Sequence, residues 1–437
     1  MFHLGWFLGN GYAIQPWVGE TWAGRNGYDW MRPDLYQDMA GSLERAGFDY
    51  ILIEDTVGID DTYGSSLEAP LRIARQVPKN DPVPLVPLMT QRTRHIGVAV
   101  TMSSSFYHPY MAARAMTTLD HLTEGRAAVN VVTSVNHRAA QNFGLDQHYE
   151  HDLRYEMAQE WLDATTQLWD SWEPGAVLVD EDAGVYADHT KVHVVDFQGK
   201  FFKTRGPLNT MPGPQGRPVI VQAGNSGPGR DLAARFAETM LAHGSSVEQM
   251  KAFREDMHRR MALHGRKPGD CKIMFLLSPI LGESNEIARE KERLMMLAGK
   301  TPGAIETKLW NLSYQSGGEV DFSTIPLDEP MPEIVGNGEV STIKSFVNFA
   351  QGKTLREALE TFRFAGGIDA VGSPDTVAAI MGEVMDEVGG DGFLLYPKVT
   401  RHALAEIADG LAPALRKRGL IRDGYSYSTL RENLLEF

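Results

Sequence analysis

The chain has 437 residues, 43% hydrophobic and 23% charged, with a formal net charge of −15 and one cysteine. Such acidity argues against a general nucleic-acid or anionic-membrane surface, and a lone Cys271 excludes an intrachain disulfide and a cysteine metal cluster. No stretch approaches the roughly 20 uninterrupted apolar residues of a membrane span, and Met1–Leu8 lacks the basic start of a secretory leader, so a soluble, cytoplasmic protein is expected.

The first β-like run is Phe2–Leu8, followed by an aromatic loop with Tyr12, Trp17 and Trp22. The spacing of Leu35, Met39 and Leu43 predicts a helix from Pro33 to Ala46, stopped by Gly47. Tyr50–Ile53 reads as a second strand and ends in the acidic pair Glu54–Asp55. A third strand, Ile96–Thr101, leads into a helix from Pro109 to Leu122. A fourth, Ala127–Val132, carries Thr133, Ser134, Asn136 and His137 at its C-terminal edge, and a long helix from His151 to Trp169 follows. Residues 174–214 break the rhythm and read as an insertion. Pro218–Val221 is the fifth strand, followed by the glycine-rich turn Gln222–Arg230 and a helix running to about Glu238. Thr239–Ala242, Lys272–Leu281 and Gly392–Tyr396 complete eight runs, with helices over Val247–His264, Asn285–Ala298, Pro374–Val388 and His402–Arg418. Residues 300–340 read as a second, irregular insertion. The tail at 419–437 lies outside the pattern, as a segment available to another subunit.

Eight continuous apolar runs alternating with helices predict parallel strands covered on both faces, hence an α/β fold of the (β/α)8 TIM-barrel type, with residues 1–437 as one domain. No first-strand G-x-G-x-x-G with a following acidic residue is present, which makes a dinucleotide-binding Rossmann domain a poor fit. His189 and His193 sit four apart in a β-rich insertion with no glutamate between them, so no metal site is assigned. Cys271 reads as a small core residue, and no nucleophile elbow, Walker loop or Cys/His dyad appears.

In such a barrel the ligand site gathers at the C-terminal strand ends. Polar groups recur there: Glu54 and Asp55, Thr101, Thr133 and His137, and Asn225–Ser226. His151 and Tyr155 share one helix face, and the glycine-rich turn aims N–H groups and a helix N-terminus at one point, which suits a phosphate. A tight turn needing positive φ explains the same glycines without a ligand. The aromatic loop 6–17 reads either as a wall for a flat ring or as core packing.

Several segments together resemble a known family. They are His108-Pro109-Tyr110, Thr118–Arg126, Asn130–Ser134, Asn142-Phe143-Gly144, His151-Asp152 with Arg154-Tyr155, and Gln222-Ala223-Gly224 with Ser226. The chain is similar to the flavin-dependent monooxygenases of the bacterial-luciferase-like superfamily, in the branch acting on nitrilotriacetate, EDTA, dibenzothiophene sulfone, dimethyl sulfide and long-chain alkanes. The resemblance implies FMN, used as FMNH2 with O2 as co-substrate, bound by Asp55, Thr101, His151, Tyr155 and Ser226; Asn130 and Thr133 are added as further flavin contacts. It implies oxygen transfer through a flavin (hydro)peroxide to a small apolar, aromatic or heteroatom-containing substrate. It further implies a separate NAD(P)H:FMN reductase as flavin supplier, and a homodimer or homotetramer is expected. His108 and His137 are the candidate catalytic proton donors. Hydride transfer with a deazaflavin, or flavin binding without catalysis, stays open as an alternative. Few cations near the expected rim favour an apolar substrate over a polyanionic chelate.

Overall fold

The computed structural model describes residues 1–9, 22, 32–332, 334, 338, 340–362 and 367–437. Eight parallel strands close into a barrel in chain order. They are β1 (His3–Gly9), β2 (Tyr50–Glu54), β3 (Gly97–Ser103), β4 (Ala127–Val132), β5 (Val219–Gln222), β6 (Thr239–Ala242), β7 (Lys272–Leu277) and β8 (Gly392–Leu395). Tyr50, Leu52, Ala99, Ala128, Met274 and Leu394 pack in one buried cluster inside it, small residues on β3 and β4 offsetting the bulk of Tyr50.

The helices that bear on the site are α1 (Pro33–Ala46), α2 (Pro109–Leu122), α3 (His151–Trp169), α4 (Gly227–Phe236), α5 (Val247–Leu263), α6 (Asn285–Ala298), α7 (Pro302–Gln315), α8 (Val340–Ala350), α9 (Leu355–Thr361) and α10 (Pro374–Val388). The first follows its sequence signals closely: Pro33 opens it, Leu35, Met39 and Leu43 are buried, and Gly47 closes it at φ 86 with its N–H on the Leu43 carbonyl. The segment Thr118–Arg126 is structural. Asp120 accepts from the Gln215 side chain at 2.6 Å, and buried Arg126 donates to Thr93 Oγ1 at 2.9 Å.

Several sequence expectations change. Strand β7 stops at Leu277; Ile280–Leu281 leaves the barrel to pair with Val371–Gly372, because Pro279 has no N–H to continue the ladder. The expected helix His402–Arg418 is interrupted by a π-turn at Glu406–Leu411, next to Pro413, which cannot donate within a helix. Residues 174–214 form two small antiparallel hairpins, as their turn-rich composition suggests. Residues 300–340 are not irregular throughout: α7 lies within them, and with α8, α9 and Phe322 it builds a separate apolar cluster around Leu309, Leu312, Phe346 and Leu355.

The tail does not stand apart. Leu430 and Leu434 join the barrel's interior cluster from the N-terminal strand ends. Gly97 makes room for them, since a Cβ there would lie 2.5 Å from a Leu430 methyl carbon. Arg422 donates to Asp49 at 2.6 Å, Arg431 to Glu238 at 3.1 Å, and Lys272 to the Phe437 main-chain oxygen at 2.7 Å. Leu430 and Leu434 are therefore buried on this chain's own barrel, while Leu435 stays exposed.

Candidate functional site

The C-terminal strand ends enclose a cavity of about 450 Å³. Asp55, Thr101, Asn130, Thr133, His151, Tyr155 and Ser226 all border it. Seven side chains from β2–β5, α3 and the start of α4 thus converge on one space, as the strand-end rule expects. The aromatic loop expected to wall it falls at residues 10–17 outside the described residues; of its earlier part, Trp6 is buried in the core and Phe7 borders the cavity.

On the β3–β4 side, the Thr101 hydroxyl donates to the Ile53 carbonyl at 2.7 Å and accepts from Asn130 Nδ2 at 2.9 Å. That arrangement satisfies half of the Asn130 amide. Its Oδ1 is buried and has no partner among the described residues, an acceptor waiting for a donor from the cavity. The following loop is fixed from behind: Arg154 donates to the Ser134 carbonyl at 2.7 Å, and His148 Nε2 lies 2.9 Å from the Thr133 carbonyl. Burial, then the Arg154 charge, pushes His148 down to about 4, so its ring is neutral at physiological pH and Nε2 carries the donated hydrogen.

Next to β4, at the end of β5, Ser226 caps α4, its hydroxyl accepting from the Gly229 N–H at 3.2 Å. None of Gly224, Gly227 and Gly229 has a positive φ, so the turn does not need glycine for its backbone angles. It needs glycine for closeness: a Cβ on Gly224 would sit 2.5 Å from Tyr155 Oη, and one on Gly229 2.7 Å from the Gly224 carbonyl oxygen. The α3 helix starts beside it at His151 without a side-chain cap. Two helix N-termini therefore border the same corner, with His151 and Tyr155 rings 5.0 Å apart between them.

The β2 side carries charge. Glu54 accepts from Lys79 at 2.7 and 2.9 Å. Burial pushes Asp55 up to about 7; Lys79 opposes this, while Glu54 and Asp81 add to it. Arg75, Gln76, Asn311, Tyr314 and Gln315 complete this wall, with Tyr314 Oη 3.2 Å from Thr56 Oγ1. A second cavity of about 440 Å³ shares Asp55, Thr56 and Gln76 with the first.

The two histidines singled out as proton donors are not on the cavity. His108 is the exposed N-cap of α2, where Nδ1 accepts from the Tyr110 N–H at 3.3 Å and the ring meets Phe202 edge-on. His137 points behind the Thr133 loop: Nδ1 accepts from the His148 N–H at 3.0 Å and Nε2 lies 3.7 Å from Glu319. Besides His151, the histidine that borders the cavity is His243, which follows β6. Strand-end position marks His243 and Gln222 in the sequence as clearly as it marks Thr101. Asn311 and Tyr314 carry no such signal, because α7 belongs to an insertion. Cations are few on this wall: among the described residues that line the cavity, Arg75 is the single Lys or Arg. Among the described residues no group of three His, Cys, Asp or Glu side chains could hold a metal ion; His193 pairs with Glu173 at 2.6 Å. No helix among them is long and apolar enough to cross a membrane.

Residues 15–392 match the family described as luciferase-like monooxygenase. Dimethyl-sulfide monooxygenase of Hyphomicrobium sulfonivorans is 38% identical over 92% of this chain and 83% of its own length. Nitrilotriacetate monooxygenase component A of Aminobacter aminovorans is 34% identical over 91% and 89%. A solved structure of riboflavin lyase with modified FMN and riboflavin superposes with a TM-score of 0.89 at 28% identity, covering 100% of this chain and 96% of that one. The chain belongs to the luciferase-like monooxygenase family.

Proposed function

We propose that the protein is the oxygenating component of a two-component system, using FMNH2 from a separate reductase and O2 to oxygenate a small organic substrate. The observation that carries this reading is the partnerless Asn130 Oδ1 in a rim cavity that also holds a glycine-lined corner at two helix N-termini. A flavin presents a ring N–H for such an acceptor and a phosphate for such a corner, so the residues fit FMN. Family membership and the component naming of the nitrilotriacetate relative support the same division of labour.

Ser226, the Gly224 and Gly229 backbone, His151 and Tyr155 would hold the phosphate, with Asn130, Thr101, Thr133 and Asp55 on the ring side. Bound reduced flavin supplies the activation of O2 for transfer of one oxygen atom. The chain's own contribution is orientation and proton placement. Arg154 and His148 keep the Thr133–Ser134 loop from collapsing into the cavity. Asp55, with a pKa near 7, holds a proton at the rim under mildly acidic conditions and releases it above neutrality. The test is incubation of the protein with photoreduced FMN, isotopically labelled O2 and a panel of thioethers, amines and hydrocarbons. Label appearing in an oxygenated product, only when protein is present, is expected; flavin reoxidation giving hydrogen peroxide alone with every compound contradicts the reading.

A further inference from the structure

The glycine-rich corner is shaped by side chains that do not themselves border the cavity. At the entry to α4, helix geometry leaves the N–H groups of Ser226 and Gly227 without an intrahelical acceptor, which suits an anion. The same turn carries carbonyl oxygens, and one of these turned into the cavity would repel that anion. Asn225 is the residue at issue, since it borders the cavity and immediately precedes the cap. Its carbonyl belongs to neither β5 nor α4, so neither element fixes its direction.

Arg230 fixes it instead. From the first turn of α4 its Nε donates to the Asn225 carbonyl at 3.0 Å, while Nη1 donates to Asp256 Oδ2 on α5 at 3.0 Å. The centre of the guanidinium lies 4.3 Å from the centre of the Phe253 ring, so the group is held at two edges and one face. Asp256 is buried and shared: Arg260 Nε donates to the same oxygen at 2.9 Å, and Arg259 to the other. The Asn225 side chain is pinned as well, its Oδ1 accepting from the His243 N–H at 3.2 Å and its Nδ2 donating to the Ala223 carbonyl at 3.3 Å. Arg230 is not among the residues that border the cavity, so it acts on a ligand through the turn alone.

We propose that Arg230 and Asp256 are positioning residues of the phosphate corner, and that they set its preference for a phosphorylated over an unphosphorylated flavin. Asp256 orients the guanidinium, and the guanidinium draws the Asn225 carbonyl back, leaving N–H groups rather than an oxygen to meet the phosphate. The proposal rests on the flavin-dependent reading above.

The test titrates FMN and riboflavin into full-length wild type, Arg230→Met, Arg230→Lys and Arg235→Met, reading the quenching of flavin fluorescence. Arg230→Met keeps an apolar stem over Phe253 and removes both donors. Its FMN affinity should fall about tenfold while its riboflavin affinity stays within about twofold. Arg230→Lys, which keeps the charge but loses the planar fork, should lose less. Arg235→Met removes the Asp163 ion pair from the same helix without touching the turn, and should keep the wild-type preference. Urea unfolding shows which variants fold; if Arg230→Met does not, a drop in FMN preference in Arg230→Lys that Arg235→Met lacks supports the proposal, and its absence overturns it. Equal losses for both flavins in Arg230→Met would mark a merely structural role and overturn the proposal, as would an unchanged preference or the same loss in Arg235→Met. A wild type with no preference for FMN removes the phosphate corner and this proposal with it, a result distinct from a wild-type preference that Arg230→Met retains.

Discussion

The two ends of the barrel are built on opposite principles. At the N-terminal strand ends the polar groups meet one another: Asp49 lies 3.1 Å from His3, accepts from Arg422 at 2.6 Å and from the Leu4 N–H at 3.0 Å, while Leu430 and Leu434 close the mouth. At the C-terminal ends a cavity is kept open to solvent, with the Asn130 and Gln315 oxygens buried and partnerless among the described residues. The first arrangement stabilises the fold; the second withholds bonds that a ligand completes. The same eight strands therefore separate stability from function along a single axis.

Breaking the closed end should have the largest effect. Arg422→Ala leaves Asp49 buried without its guanidinium, a loss of about 3–5 kcal/mol in urea unfolding, with the FMN affinity of the folded fraction unchanged. The same pair sets an acid limit. Burial would raise Asp49, but His3 and Arg422 outweigh it and lower its pKa below 3.8. A depressed carboxyl stabilises the fold above its unfolded value and loses that contribution as pH falls through the folded one, so wild type should shed this stability below about pH 4 and Arg422→Ala, which keeps only His3 beside Asp49, should shed less. At the open end, Gly224→Ala brings a Cβ to 2.5 Å from Tyr155 Oη, so the ring must move. FMN affinity should fall about tenfold with a smaller change in the urea midpoint, because the Cβ meets the ends of the Tyr155 and Gln222 side chains first and the Gly229 backbone only at 3.1 Å.

A rim residue with a stability cost of its own sharpens the contrast. Asp55 has a raised pKa, about 7 against an ordinary 3.8. A raised carboxyl destabilises the fold increasingly as pH climbs from about 4 to about 7, and the cost then levels off. Asp55→Asn should therefore be more stable than wild type at pH 8 and nearly equal to it at pH 4. A gain that shrinks with rising pH would contradict the assignment.

The sequence is legible where local chemistry and position coincide. Ala127–Val132 can only be a buried strand, and Thr101, Thr133 and Ser226 are polar residues at points where an apolar run ends. It is illegible where distance intervenes. Arg75 and Asn311 meet across 236 residues, because α7 folds back over β2. His108 and His137 lie further past their strand ends than Thr133 does, and each turns to cap or brace its own loop, since side-chain direction in a loop has no sequence period. The tail shows no barrel rhythm because its leucines enter the barrel end-on.

The central claim, that the rim cavity is a flavin site with its phosphate at the Ser226 corner, is tested most directly by titrating FMN and riboflavin into wild type and Ser226→Glu. The account predicts that wild type prefers FMN by well over tenfold, and that the variant, carrying a carboxylate where the phosphate sits, loses that preference while keeping its affinity for riboflavin. Unchanged FMN binding in Ser226→Glu, or equal losses for both flavins, would contradict it.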